Sequence, residues 1–169
     1  IHCNDWQSAL TPLYYSCYYA NRMGFENIKT VFTIHNIQYQ GKYGDELLND
    51  VLGIAPEHNN LIMYDGLVNF MKAGIECANK VTTVSPTYAK EILDPWYSHG
   101  LDPILNQRSW KLCGILNGID TDSYNPETDK DIWANYNADD FSNKAKNKAE
   151  LQKMMGMNVD ADVPVVGIV

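Results

Sequence analysis

Four residues, Val31 to Ile34, constrain this chain more than any others. They are β-branched or aromatic with almost no polar interruption, which suits a strand buried on both faces of a parallel sheet. The run stops abruptly at His35-Asn36, two side chains able to donate and accept hydrogen bonds. In open α/β sheets, ligands sit outside the carboxyl ends of the strands. A buried strand ending in His-Asn therefore delivers polar groups to the rim where a ligand would lie. Taken alone, the simpler reading is that His35 closes a turn, so the rest of the chain has to decide.

The chain has 169 residues, 45% of them hydrophobic and 20% charged, enough for a substantial core. Its net charge of -8 argues against a nucleic-acid surface. It leaves room for an anionic nucleotide sugar, which backbone donors can hold. No apolar run reaches membrane-spanning length and no secretory signal opens the chain. Cys3, Cys17, Cys77 and Cys113 are scattered without CxxC spacing, so reduced thiols are expected rather than a zinc site.

Several elements can be placed from local chemistry. Ile1 to Asp5 reads as a strand end and a helix start capped by Asp5, with a helix from about Trp6 to Tyr19 that Pro12 should kink or delay. The tyrosines 14, 15, 18 and 19 suit a packing surface. Residues 41–44 read as a loop, followed by a short helix capped by Asp45 and stopped by Gly53. Asp65 opens a helix whose apolar face is Leu67, Phe70, Met71, Ile75 and Ala78, with Gly74 on the same face as a possible point of close backbone approach. Lys80 to Val84 is a strand, and Ser85-Pro86 caps and begins the next helix. A short helix is expected near Leu101 to Gln107, a strand from Trp110 to Leu116, and a helix over 143–155 capped by Ser142 and closed by Gly156. Pro164 to Val169 reads as a last strand.

The alternation of strands and helices predicts an α/β fold, a doubly wound parallel sheet of Rossmann type. Parallel strands put their carboxyl ends on one edge, so Asp5, His35, Ser85 and Asn117 should share a rim. The texture turns polar and acidic after Asp120, which places a domain junction in 121–163.

Five motifs in order then resemble the bacterial glycogen synthases and plant starch synthases, the ADP-glucose type of glycosyltransferase family 5. They are His2-Cys3-Asn4-Asp5-Trp6, the segment from Lys29 to Gly41, Asn69 to Gly74, Val81 to Ala89, and Gly114 to Asp120. The resemblance covers essentially the whole chain and is specific because of the order and spacing. It implies a two-domain GT-B architecture. Residues 1–120 would be the later half of the N-terminal, acceptor-side domain, 121–163 the interdomain connection, and 164–169 the first strand of the nucleotide-sugar domain. The implied reaction moves glucose from ADP-glucose to the non-reducing end of an α-1,4-glucan with retention, in the cytoplasm of a bacterium rather than a plastid. No cofactor or metal is implied; ADP-glucose is a substrate.

By the same resemblance, His35 matches the histidine that contacts the transferred glucose. Asn36, in the same loop, would help hold that geometry. Asp5 and Trp6 match an Asp-Trp pair at the cleft, with helix capping and core packing as equal competing roles. Asn117 matches an asparagine near the donor, and Tyr39 and Gln40 would contact acceptor glucan. Asp120 and Ser85 read as structural, and Lys72 as a snorkelling or salt-bridged lysine on a packed helix. Asn4 and Gln7 stand where many relatives carry histidines. The family's Lys-x-Gly-Gly loop and the Arg, Lys and Glu of its second domain are not among these residues, so the isolated chain is expected to be inactive. A related transferase using UDP-glucose or another acceptor, or a non-catalytic glucan-binding paralogue, are the alternatives that the residues leave open.

Overall fold

In a computed structural model, which describes residues 1–168, the chain forms two compact units, Ile1–Asn117 and Gly118–Val169. The first unit runs β1 (His2–Asn4), α1 (Asp5–Ser8), α2 (Leu10–Tyr14), a π-helical turn at Tyr15–Tyr19, β2 (Val31–Ile34) and β3 (Lys42–Tyr43). A second π-helical turn (Leu48–Leu52) leads to α3 (Asn59–Ile62), β4 (Met63–Tyr64), β5 (Leu67–Asn69) and α4 (Phe70–Cys77). The unit finishes with β6 (Lys80–Thr83), α5 (Pro86–Glu91), α6 (Asp102–Gln107) and β7 (Leu112–Gly114).

The main sheet is parallel throughout, ordered β1-β2-β6-β7. Phe32 lies opposite Cys3 on one side and Val81 on the other, and Val81 opposite Leu112. Phe32, Ile34 and Val81 are buried, as expected of central strands covered on both faces. The buried threonines between them satisfy one another. The hydroxyls of Thr33 and Thr82 are 2.6 Å apart, and Thr83 Oγ1 donates to the Ile34 carbonyl at 2.8 Å. The α/β class and the parallel sheet expected from the strand pattern are present.

Helix α4 packs in the core against α1, α2, α3 and α6. Of its expected face, Phe70, Met71, Ile75 and Ala78 are buried, while Leu67 is exposed and belongs to β5. Gly74 does admit a close neighbour, but that neighbour is a ring rather than a backbone. A Cβ there would stand 2.7 Å from the Phe32 ring.

The start of this helix differs from expectation. Asp65 does not open it. Asp65 and Gly66, at φ 49° and 75°, form the two-residue turn of a β4–β5 hairpin. Two consecutive left-handed residues match the right-handed strand twist, and Asp-Gly is a favoured pair for that turn. The helical spacing of Leu67 with Phe70 and Met71 is real in the sequence, but turn chemistry prevails. Asn69 caps the helix instead, its side chain accepting from the Lys72 N–H at 3.0 Å. Lys42–Tyr43, read as loop, pairs antiparallel with β5 and completes a three-stranded sheet.

Other local expectations divide. Ser85 caps α5 through the Tyr88 N–H, with Pro86 at its first turn. Gly53 and Gly156 adopt positive φ just past the helical turns they end. The stretch after Asp5 is broken at Ala9, in line with Pro12 delaying the helix, and then widens into the π turn. Tyr14, Tyr15 and Tyr18 act as staples: their hydroxyls bond to the backbone at Leu52, at Phe25 and Ile28, and at Ala55. His58 is half-buried and meets the Tyr18 ring edge-on at 5.4 Å. Asp45 and Ser142 are not side-chain caps.

The second unit contains α7 (Lys144–Met154), held to its own loops by Asn147 and Gln152. Residues 164–168 form no strand, and Val169 lies outside the described residues.

Candidate active site

The carboxyl ends of β1 and β2 lie side by side because Asn4 pairs with Thr33 in register. The chain leaves β2 through His35 and Asn36, both exposed, and returns to the core at Ile37, which is only 1% exposed. This short arc contains several backbone donors that the sheet no longer satisfies, and each has to find another partner.

Asp5 supplies two. Its Oδ1 accepts from the His35 N–H at 2.8 Å and from the Asn36 N–H at 3.3 Å. Asp5 is therefore not the helix cap; its carboxylate turns across the rim toward the neighbouring strand end. Its backbone is bent to φ 51°, a left-handed conformation rarely adopted outside glycine, asparagine and aspartate. Such a bend persists only where the surroundings demand it. The next donor, the Ile37 N–H, reaches the Tyr88 hydroxyl at 3.2 Å, and the Gln38 N–H is taken by Asn36 Oδ1 at 3.0 Å. All four loop donors from His35 to Gln38 are thus bound by side chains.

The His35 ring is held as well. Its Nε2 lies 3.0 Å from Asn4 Oδ1, an oxygen that only accepts, so Nε2 is the donor in that contact and in the neutral ring Nδ1 is left as an acceptor. Asn4 is itself fixed, its N–H and C=O both bonded to Ser8 Oγ at 2.6 and 2.7 Å. Tyr88 is a participant without a distinguishing mark of its own in the sequence, and Asn4 is marked only as standing where many relatives carry a histidine. Asn4 lies beside Asp5 in the first motif, and Tyr88 sits inside a motif whose helix-starting role explained it already.

The remaining candidates separate by burial. Tyr39 is 61% exposed on the same loop, with its side chain free to meet a ligand. Gln40 is only 4% exposed, and its amide is used twice: Nε2 donates to the His99 carbonyl at 3.0 Å and Oε1 accepts from Asn69 Nδ2 at 2.8 Å. These bonds tie the loop to β5 and to the 98–100 turn, a role that the reading of Gln40 as a glucan contact did not include. Trp6 is half-buried and lies over Gly41, where a Cβ would stand 2.5 Å from its ring. It also packs at tilted angles on Tyr43 and Phe70, with ring centres 6.2 and 6.1 Å away. Core packing is therefore a role Trp6 demonstrably fills. Asn117 is exposed beyond the end of β7.

Lys72 and Asp120 take structural roles, though Lys72 neither snorkels nor forms an ion pair among the described residues. Lys72 is buried and donates to the Asn60 carbonyl, and burial lowers its pKa. Asp120 binds the N–H groups of Asp122 and Ser123 and the Ser123 hydroxyl, and these bonds, the Ser123 N–H first, hold its carboxyl below the usual carboxylate range. No helix among the described residues is long and apolar enough to cross a membrane.

The family model for the starch synthase catalytic domain matches residues 1–107. A glycogen synthase from Exiguobacterium sibiricum is 47% identical over 172 residues, and one from Clostridium acetobutylicum 48%. Each alignment covers all of this chain but only 36% of the relative, so the chain spans about a third of the length of the curated proteins it matches. Among solved structures, the catalytic domain of starch synthase IV from Arabidopsis thaliana, bound to ADP and acarbose, superposes with a TM-score of 0.81 at 40% identity. That match covers 94% of this chain and 33% of the other.

Proposed function

From the premise that the chain belongs to the starch synthase catalytic-domain family, we propose that it is the acceptor-side part of a retaining glucosyltransferase. The full protein moves glucose from ADP-glucose to the non-reducing 4-hydroxyl of an α-1,4-glucan. In this reading residues 1–120 belong to the N-terminal domain, 121–163 connect, and the nucleotide-sugar domain begins at 164. The ADP and acarbose held by the Arabidopsis relative fit a nucleotide donor and a glucan-like acceptor.

The observation that carries the proposal is the hold on the His35 loop, whose backbone donors from 35 to 38 are all taken by the chain's own side chains. In the transfer, the bond from the anomeric carbon to the diphosphate breaks and the acceptor oxygen bonds to the same face. The acceptor's proton passes to the departing phosphate oxygen. Positive charge grows at the anomeric carbon, so fixed dipoles and aligned hydrogen bonds accelerate the reaction more than mobile ones. With the Asn36 N–H drawn to Asp5, the His35–Asn36 peptide is fixed in orientation, and the His35 carbonyl is the group suited to face that developing charge. The imidazole Nδ1 accepts from a hydroxyl of the glucose. Asn36 holds the turn, Asp5 positions it, and Tyr39, Trp6 and Asn117 border the sugar sites.

The test uses the full-length protein with labelled ADP-glucose and glycogen. Transfer into α-1,4 linkages is expected, and His35→Ala should lower turnover by orders of magnitude with folding intact. Transfer from UDP-glucose in preference to ADP-glucose would overturn the donor assignment. Near-normal turnover in His35→Ala would remove His35 from the site.

A further inference from the structure

The motif Val81 to Ala89 is accounted for by a strand, a cap and a helix start, yet one of its atoms reaches beyond that role. Tyr88 lies on α5, which follows β6, and its hydroxyl accepts the Ile37 N–H of the loop after β2. We propose that Tyr88 is a positioning residue for His35, gripping the loop from the β6 side while Asp5 grips it from the β1 side. The inference rests on the transferase reading for its catalytic consequence, but the grip itself is a property of the fold.

The geometry makes the two contacts complementary. Asp5 takes the donors of His35 and Asn36, and Tyr88 takes that of Ile37. Three consecutive peptide groups are therefore fixed from two different strand ends. Ile37 is buried, so its N–H has little access to water and needs a protein acceptor. The Tyr88 ring is half-buried against the core, and the backbone beneath it is set by the Ser85 cap at 2.9 Å. The hydroxyl is thus presented from a rigid base. Losing it frees the loop at its hinge with the core without displacing the ring.

Tyr88→Phe removes that oxygen alone. In the full-length protein, the loss of one hydrogen bond should loosen the loop by roughly 2- to 12-fold in amide exchange and lower kcat for glucosyl transfer by a similar factor. The exchange gain should be confined to peptides covering residues 35–38, with α5 and β6 unchanged. A double variant with Asp5→Ala should lose less than the product of the two single losses, because both act through one loop. Unchanged exchange over 35–38, or strictly multiplicative losses in kcat, would overturn the proposal. Local loosening with unchanged kcat would overturn the positioning role while leaving the grip. If the enzyme works on another donor, the exchange result still stands, so failure of the functional reading is separable from failure of this one.

Discussion

The Asp5 carboxylate receives the backbone N–H of His35 at 2.8 Å across a sequence separation of 30 residues. One side chain from the end of β1 thereby sets the peptide plane at the end of β2. Asp5→Ala should leave two N–H groups without that partner and cost about 1–3 kcal/mol of stability, with kcat falling about tenfold or more. Asp5→Asn keeps an acceptor oxygen and tolerates the left-handed backbone, so it should lose much less. Urea titration and steady-state transfer by the full-length variants check this. Equal losses in the two variants would assign the effect to charge rather than to the loop.

Gly74 offers a test of core packing. Its Cβ position is 2.7 Å from ring carbons of the fully buried Phe32. Alanine improves helix propensity by about 1 kcal/mol, whereas overpacking a filled core costs about 1–3 kcal/mol. At that distance the buried ring has to shift against its neighbours, so Gly74→Ala should be destabilising on balance. Adding Phe32→Leu should recover part of the loss. A higher unfolding temperature for Gly74→Ala alone would refute this.

Asn69 does two jobs from a fully buried position: it caps α4 and donates to Gln40. Asn69→Ala should lose a cap worth about 1 kcal/mol and strand a buried acceptor at about 1–3 kcal/mol. The expected total is about 2–4 kcal/mol. Asn69→Ser retains a neutral capping oxygen and should lose mainly the second part, which denaturant midpoints will separate.

Cys77 gives a signed pH dependence. Burial, the largest cause, pushes its thiol from an ordinary 9.0 up to about 12. Between those values the unfolded chain has released the proton and the folded chain still holds it. Stability from this group is therefore complete below pH 9 and declines as pH rises toward 12, by at most about 1.4 kcal/mol per pH unit. Lys72 and Lys111, lowered by burial, act in the opposite sense below their unfolded value of 10.5. The measurement is thus the difference between wild type and Cys77→Ala, which should shrink from pH 9 to 10.5. A constant difference would show that the thiol is not held neutral.

Local chemistry made much of this molecule legible. The buried character of Val31 to Ile34, the Ser85-Pro86 helix start and the glycine stops are near-neighbour effects that residue type sets directly. The β4–β5 hairpin was signalled too, by Asp65-Gly66, but helical spacing through Leu67 competed with it. The acceptor roles of Tyr39 and Gln40 looked alike in one loop. Burial separates them, because Gln40 turns inward to Asn69 and His99 while Tyr39 faces out.

Sequence alone determined that parallel strands would carry polar residues at their tips, since a side chain's burial preference and a turn's chemistry act over a few neighbours. Which tip would hold which was decided by tertiary structure. The register of β1, β2 and β6 brings Asp5 and Tyr88 to opposite sides of the His35 loop. Such partners arise because loop N–H groups that leave a sheet must be satisfied by whatever acceptor the fold places in reach, however distant along the chain.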